Sequence, residues 1–272
     1  MKTLLKIKNK KFRTIVYVVY LWGINTNNAF LRKKYLKLKM ASFLPWRLVT
    51  LPYKNLLMKM DFIIANSYSC SYLLKLLYDV YAAGTVYTPV GVDIRYTIEN
   101  EGEFKGDKSG ILIMAGHLPD SYIRDLENEV RILEANGISV NVVVQDSFTR
   151  NLFERVKGIK VHQNVPLKEL VSLYYKSEFT YVPTTYELFG LMGAESIFCG
   201  TPVILDVFHP FVEQVPAETK AVTIADHSLS IFDTYMRMKK EKINVSAARN
   251  SIMSNYSETE CASSLLKILM KE

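Results

Sequence analysis

Apolar and polar positions follow two rhythms along this chain. From residue 111 onward, near-continuous apolar runs at 111–115, 139–144, 179–182 and 202–205 alternate with stretches at 121–135, 148–156, 166–176 and 190–198, where apolar residues recur three and four apart. Short unbroken runs suit strands buried on both faces, and the longer spacing suits helices packed along one stripe. Their alternation predicts an α/β architecture, a doubly wound parallel sheet of Rossmann-like form. A short strand at 221–224 and helices over 228–241, 246–253 and 258–271 are expected after it.

The N-terminal third reads less regularly. Strands are expected at 14–22, 62–65 and 85–88, with helices over 30–44 and 68–78 and a short helix opened by Pro52. Residues 94–109 are polar and rich in breakers, so they read as an interdomain linker. The chain then divides into a small α/β domain (1–93), the linker (94–109) and a larger domain (110–272). In a doubly wound sheet, ligands bind beyond the carboxyl ends of the strands, where the loops of Gly116 and Glu187 fall.

Charge changes the picture at the N-terminus. The first 60 residues hold 14 Lys or Arg and no acid, whereas the remaining 212 hold 20 basic and 27 acidic residues. Such asymmetry calls for an anionic partner. Leu38, Phe43, Leu44 and Trp46 interleave with the cations, as suits an anionic membrane surface. Nucleic acid is the lesser alternative, because no nucleic-acid-binding motif accompanies the charge. No apolar run reaches the ~18 residues that span a bilayer. Three widely spaced cysteines, Cys70, Cys199 and Cys261, indicate neither a disulfide framework nor a metal site. A cytoplasmic setting, peripheral to the membrane, is expected.

The candidate chemistry lies in Tyr186-Glu187-Leu188-Phe189-Gly190-Leu191-Met192-Gly193-Ala194-Glu195, followed by Cys199-Gly200-Thr201-Pro202-Val203-Ile204. A helix starting at Gly190 turns unpaired amides and the positive end of its dipole towards an anion, and glycine permits close approach. Carboxylates on either side can accept hydroxyl hydrogen bonds. The segment resembles the Glu-x7-Glu motif of retaining glycosyltransferase family 4, which has the GT-B fold. Two upstream segments strengthen the resemblance. Thr88-Pro89-Val90-Gly91-Val92-Asp93 is similar to the Pro-Asn-Gly-Val-Asp turn of that family, and Ala65-Asn66-Ser67 to its Ala-x-Ser strand ending.

The resemblance implies a GT-B-like fold and transfer of a sugar, with retention and without a metal or other cofactor, from a nucleotide-sugar donor to an acceptor that the basic region would make lipid-linked. It places Glu187 against the donor sugar, Glu195 on the ribose, and the amides of Phe189, Gly190 and Leu191 near the diphosphate. It also has gaps. His117 stands after Gly116 where the family has Arg, and no Lys follows, leaving Arg124 either to supply a cation or to pair with Glu127 or Asp120. The N-terminal domain is about half the family's size, so its missing part would be dispensed with or completed by another chain. Covering the apolar edge at 14–22 by the C-terminal domain or by a second copy, as a homo-oligomer, is expected. Asp206-Val207-Phe208-His209-Pro210 replaces a Gly-Gly loop, although Glu213 matches the Glu that closes it. These gaps keep open a non-catalytic binding protein, tethered by its basic arm, on the same scaffold.

Overall fold

Two parallel sheets organise the chain. The structure, a computed structural model, describes residues 15–18, 46–89, 92–101, 104, 106–116, 118, 120–184, 189–206, 209–225 and 229–270. The expected helix at 30–44 and the outer parts of the 14–22 strand lie outside these residues.

The first sheet has three strands in spatial order β1 (Ile15–Val18), β2 (Phe62–Ala65) and β3 (Gly84–Thr85). β2 is central and buried along its whole length. Before it comes α1 (Trp46–Leu57), and after it α2 (Tyr68–Tyr78). Val18, Leu57, Ile63, Leu74 and Tyr78 form the core between strands and helices. The expected start of α1 at Pro52 is corrected, since the helix begins at Trp46 and holds Pro52 inside it. Packing outweighs the local cost of proline here: Leu57 is fully buried and the Tyr53 ring meets Tyr78 edge-on at 5.1 Å. The strand expected at 85–88 is shorter and shifted.

Residues 94–109 are not irregular throughout. α3 (Val92–Glu101) occupies their first half, with Ile94 buried and Ile98 packed on the core of the second sheet, which Phe104 joins just beyond the helix. These inward side chains are few enough in a polar stretch that periodicity does not reveal the helix.

The second sheet runs through β4 (Ile111–Ala115), α4 (Asp120–Ala135), β5 (Val140–Val144), α5 (Ser147–Phe153), β6 (Lys160–Gln163), α6 (Leu167–Lys176), β7 (Phe179–Val182), α7 (Leu191–Phe198), β8 (Val203–Leu205) and β9 (Val222–Ile224). The helices α8 (Ile231–Met238), α9 (Val245–Asn255) and α10 (Glu258–Leu269) follow. Spatial order is β6-β5-β4-β7-β8-β9, all parallel. Successive side chains along each strand alternate faces. Leu112, Met114, Val203 and Leu205 meet α6 and α7 through Val171, Tyr174, Ile197 and Phe198. On the other face Ile111, Ile113, Val142 and Ile204 meet α4 and α8 through Ile123, Val130 and Tyr235.

The edge strand β6 escapes the sequence reading. Its residues Lys160-Val161-His162-Gln163 are mostly polar and only partly buried, because an edge needs little apolar surface.

The chain moves outward from β4 to β6 and then returns to β7 on the other side of β4, so the order reverses between β4 and β7. That reversal opens a crevice at the carboxyl ends of the two strands. α10 returns to the first sheet, where Cys261 packs with Ile64 and Val86. Gly84 makes room for it, since a Cβ there would come within 2.5 Å of the Ile268 side chain.

Candidate functional site

The two loops that the sequence marks out converge on this reversal. Gly116 follows β4, and the segment leading to Gly190 follows β7. Glu187 and His117 lie outside the described residues. Phe189 is buried, and its carbonyl accepts a hydrogen bond from the Gln214 side-chain amide at 2.8 Å. Gly190 is the N-cap of α7 in the left-handed region, φ 93°, with no side-chain cap on the helix. Leu191 is exposed at the first helical position. Gly190 has no side chain to cap the helix, and among the described residues no carboxylate or hydroxyl takes its place over the first amides, an arrangement suited to an anion.

Glu195 lies one turn into α7 and is half-buried. The Tyr174 hydroxyl, from α6, donates to its Oε2 at 3.1 Å. Burial first and then the Glu195 charge hold the Tyr174 hydroxyl well above its ordinary titration, so it remains a donor. This contact limits the rotamers of Glu195 and directs it from the helix side. Tyr174 was not singled out in the sequence, because a tyrosine on an amphipathic helix reads as core.

The loop after β8 is built against α7. A Cβ at Gly190 would collide with Cε1 of His209 and lie 2.8 Å from Cβ of Phe211; one at Gly193 would lie 2.6 Å from the Phe211 ring. The Phe211 amide donates to His209 Nδ1 at 3.3 Å. Burial pushes His209 down to about 4, so its ring is neutral at pH 7. Beneath this loop Asp206 is fully buried at the end of β8, where the Tyr122 hydroxyl of α4 donates to it and also meets the Tyr181 hydroxyl at 3.2 Å. The inward face of the first turn of α4 thus carries a tyrosine tied to a carboxylate. Arg124 is exposed, and Glu127 pairs with Arg131 instead at 2.7 Å. Among the described residues no carboxylate pairs with Arg124. Gly116 faces Gln145, whose amide group a Cβ there would approach to 3.3 Å.

Glu213 joins the two sheets' loops. Its carboxylate accepts the Tyr68 amide at 2.8 Å, the Ser69 amide at 3.1 Å and the Ser69 hydroxyl at 2.8 Å, with the Tyr87 hydroxyl at 3.4 Å. These are the first amides of α2, whose opening Ser67 also caps through the Cys70 amide at 2.9 Å. A residue beyond β8 therefore caps a helix of the first sheet. Tyr87 continues the junction by meeting Tyr256 edge-on at 4.6 Å and Phe189 at 6.1 Å. The carboxyl end of β2 is consequently held facing the loop that follows β8.

No family model matches the chain. A segment of 39 residues, 14% of this chain, is 49% identical to 11% of a probable transglycosylase from Burkholderia thailandensis. Solved structures match over almost the whole chain. Sucrose-phosphate synthase from Thermosynechococcus elongatus aligns at 13% identity with a TM-score of 0.71, over 98% of this chain and 69% of that one. TarM aligns at 12% identity and 0.68, over 97% and 51%. The fold is GT-B-like. A UDP-forming α,α-trehalose-phosphate synthase from Burkholderia vietnamiensis gives the same result, at 10% identity and 0.67 over 97% and 70%. At such identities the likeness is one of fold, and the chain spans from about half to about seven-tenths of these GT-B glycosyltransferases. In the GT-B-like arrangement the two parallel sheets present their strand ends to a common cleft. The Glu213 contacts and the uncapped start of α7 both lie at that junction.

Among the described residues no group of three or more His, Cys, Asp or Glu could hold a metal ion, and no helix is long and apolar enough to cross a membrane. The three cysteines are free and buried.

Proposed function

We propose that the chain is a retaining glycosyltransferase of the family 4 type. It takes a sugar from a nucleotide-sugar donor and passes it to a lipid-linked acceptor at an anionic membrane surface on the cytoplasmic side. The observation that carries this reading is the start of α7, uncapped at the strand reversal with Glu195 one turn behind it. A diphosphate would lie on the amides of Phe189 to Leu191 and the nucleotide ribose on Glu195. Glu187 and His117 would face the donor sugar and its leaving group, with Arg124 as an added cation beside Gly116. Developing charge on the diphosphate would be stabilised by the helix terminus, without a metal or other cofactor.

A surface feature supports the lipid side. Tyr68, Tyr72 and Leu76 recur four apart on α2 and are 66%, 66% and 62% exposed, and Tyr81 lies nearby with Lys75 over its ring at 3.8 Å. Exposed aromatic residues beside lysines suit a lipid interface. A second reading, a non-catalytic sugar-nucleotide-binding protein, is favoured by the tyrosine rather than a cation on the inward turn of α4.

Thermal shift and transfer assays with UDP-, GDP- and ADP-sugars test both readings, since ligands of the native state raise its stability. Glu195→Ala should weaken binding of nucleotide and nucleotide-sugar by about 1.5–3 kcal/mol for a lost charged hydrogen bond. Glu187→Ala should spare the free nucleotide and abolish transfer. Binding without any transfer or donor hydrolysis would select the non-catalytic reading, and no binding of any donor would remove both.

A further inference from the structure

The loop after β8 carries a buried hydrogen-bond donor that the proposed roles leave unused. His209 is 2% exposed, and its Nδ1 accepts the Phe211 amide. In a neutral imidazole one nitrogen accepts and the other bears the proton, so this hydrogen bond assigns the proton to Nε2. Among the described residues Nε2 has no hydrogen-bond partner. Buried donors are almost always paired, and an orphan in a native protein points to a group that completes it.

The position of the ring indicates which group. Cε1, the ring carbon between Nδ1 and Nε2, abuts Gly190 so closely that any Cβ there would collide with it and lie 3.1 Å from Nδ1, with Nε2 one bond further round the ring. Nε2 is therefore buried beside the N-cap of α7, the helix end without a side-chain cap. The setting is rigid. Pro210 follows directly as the first residue of a 3-10 turn, and Phe211 is fully buried against Gly193. A second orphan lies at the same end of the sheet, the buried Thr184 hydroxyl beyond β7, the strand next to β8. Two unpaired polar side chains and a bare helix start thus share one edge of the crevice.

We propose that His209 Nε2–H is a ligand-binding donor, acting with the first amides of α7 to hold an anionic oxygen of a nucleoside diphosphate. The inference rests on the reading above and deepens it, because it assigns the phosphate grip to a residue where the resembling family has glycine. A neutral donor fits this place better than a cation, since burial disfavours a charged ring.

The experiment measures binding of UDP, GDP and ADP, and of the matching nucleoside, to the wild type, His209→Ala and His209→Gln. Histidine labelled with 15N reports the Nε2 resonance of His209 in the wild type. The expected result is at least a tenfold weaker nucleoside diphosphate affinity in His209→Ala, an unchanged nucleoside affinity, and recovery to within about threefold in His209→Gln, whose amide reaches a similar position. The Nε2 resonance should move when the diphosphate is added. Equal diphosphate binding in the wild type and both variants, with that resonance unmoved, overturns the proposal and leaves the glycosyltransferase reading standing. Absence of binding by every diphosphate and donor sugar overturns the underlying reading, and the proposal with it. Should His209→Ala fail to fold, the resonance and His209→Gln still decide.

Discussion

Gly190 and Gly193 show how far the site depends on atoms that are absent. Gly193 has ordinary helical geometry, so an alanine there would be helix-favouring but for the Phe211 ring at 2.6 Å from the new Cβ. Overpacking of this kind costs about 1–3 kcal/mol. Gly193→Ala should therefore lower the urea midpoint, and adding Phe211→Leu should recover part of the loss. Additive losses in the double variant would show that the two residues do not meet. At Gly190 the left-handed φ adds about 1–2 kcal/mol of backbone cost to the collision with His209, so Gly190→Ala should be the more damaging change. His209 itself makes stability depend on pH. Its imidazole titrates near 6.5 when unfolded and at about 4 when folded, because burial disfavours its charged form. Between those values the unfolded chain binds the proton and the folded chain does not, so stability falls as pH drops through the window. The wild type should lose about 2 kcal/mol more than His209→Gln between pH 7 and pH 4.5 in urea titrations. A difference between them that stays constant over this range would place the ring in solvent.

Between elements, Glu213 is a polar link from the loop after β8 to α2. Its carboxylate occupies two of the four amides that a helix start leaves unpaired. Removing a cap costs about 0.5–2 kcal/mol, and Glu213 is exposed, which places Glu213→Ala in the lower half of that range. The local effect should exceed the global one. Amide exchange at Tyr68 and Ser69 should quicken in Glu213→Ala, while amides in β4 and β7 stay protected; unchanged exchange at both residues would remove the link. The sequence marked Glu213 only through resemblance, since its partners are 144 and 145 positions away. The same distinction separates what was legible from what was not. β4, β5, β7 and β8 announce themselves because strands covered by helices on both faces are apolar at most positions, Asn141 and Thr180 being the exceptions. β6 needs little apolar surface and reads as loop, and α3 hides in a polar stretch where Ile94 and Ile98 turn inward. Within the candidate site, the helix start at Gly190 and the place of Glu195 on that helix could be read from spacing along one segment. Tyr174, His209 and the Tyr122–Asp206 pair could not, because each acquires its meaning from a partner on another element.

At the scale of the whole molecule, the facing strand ends of two parallel sheets place the candidate site on one side of the chain and an exposed aromatic stripe beside it. Tyr68 belongs to both, since its amide is held by Glu213 and its side chain begins the stripe that continues through Tyr72 and Leu76. If an acceptor comes from a lipid surface, this stripe is where the molecule would meet it. Cations in the first 60 residues would supply long-range attraction, at about 1 kcal/mol per charge near the surface and weakening with salt. Attraction alone does not distinguish lipid from nucleic acid, because both are polyanions. Insertion of apolar side chains does distinguish them. The double change Tyr72→Ser with Leu76→Ser removes apolar surface that is already exposed, so it should leave stability within about 0.5 kcal/mol. Binding to anionic vesicles should fall about thirtyfold in co-sedimentation, since each of the two lost side chains is worth roughly 1 kcal/mol at an interface. Retention on single-stranded DNA should not change. Vesicle binding equal to that of the wild type would exclude the stripe from a lipid contact, and a loss of DNA retention in the same variant would move the acceptor side from a membrane to a polynucleotide.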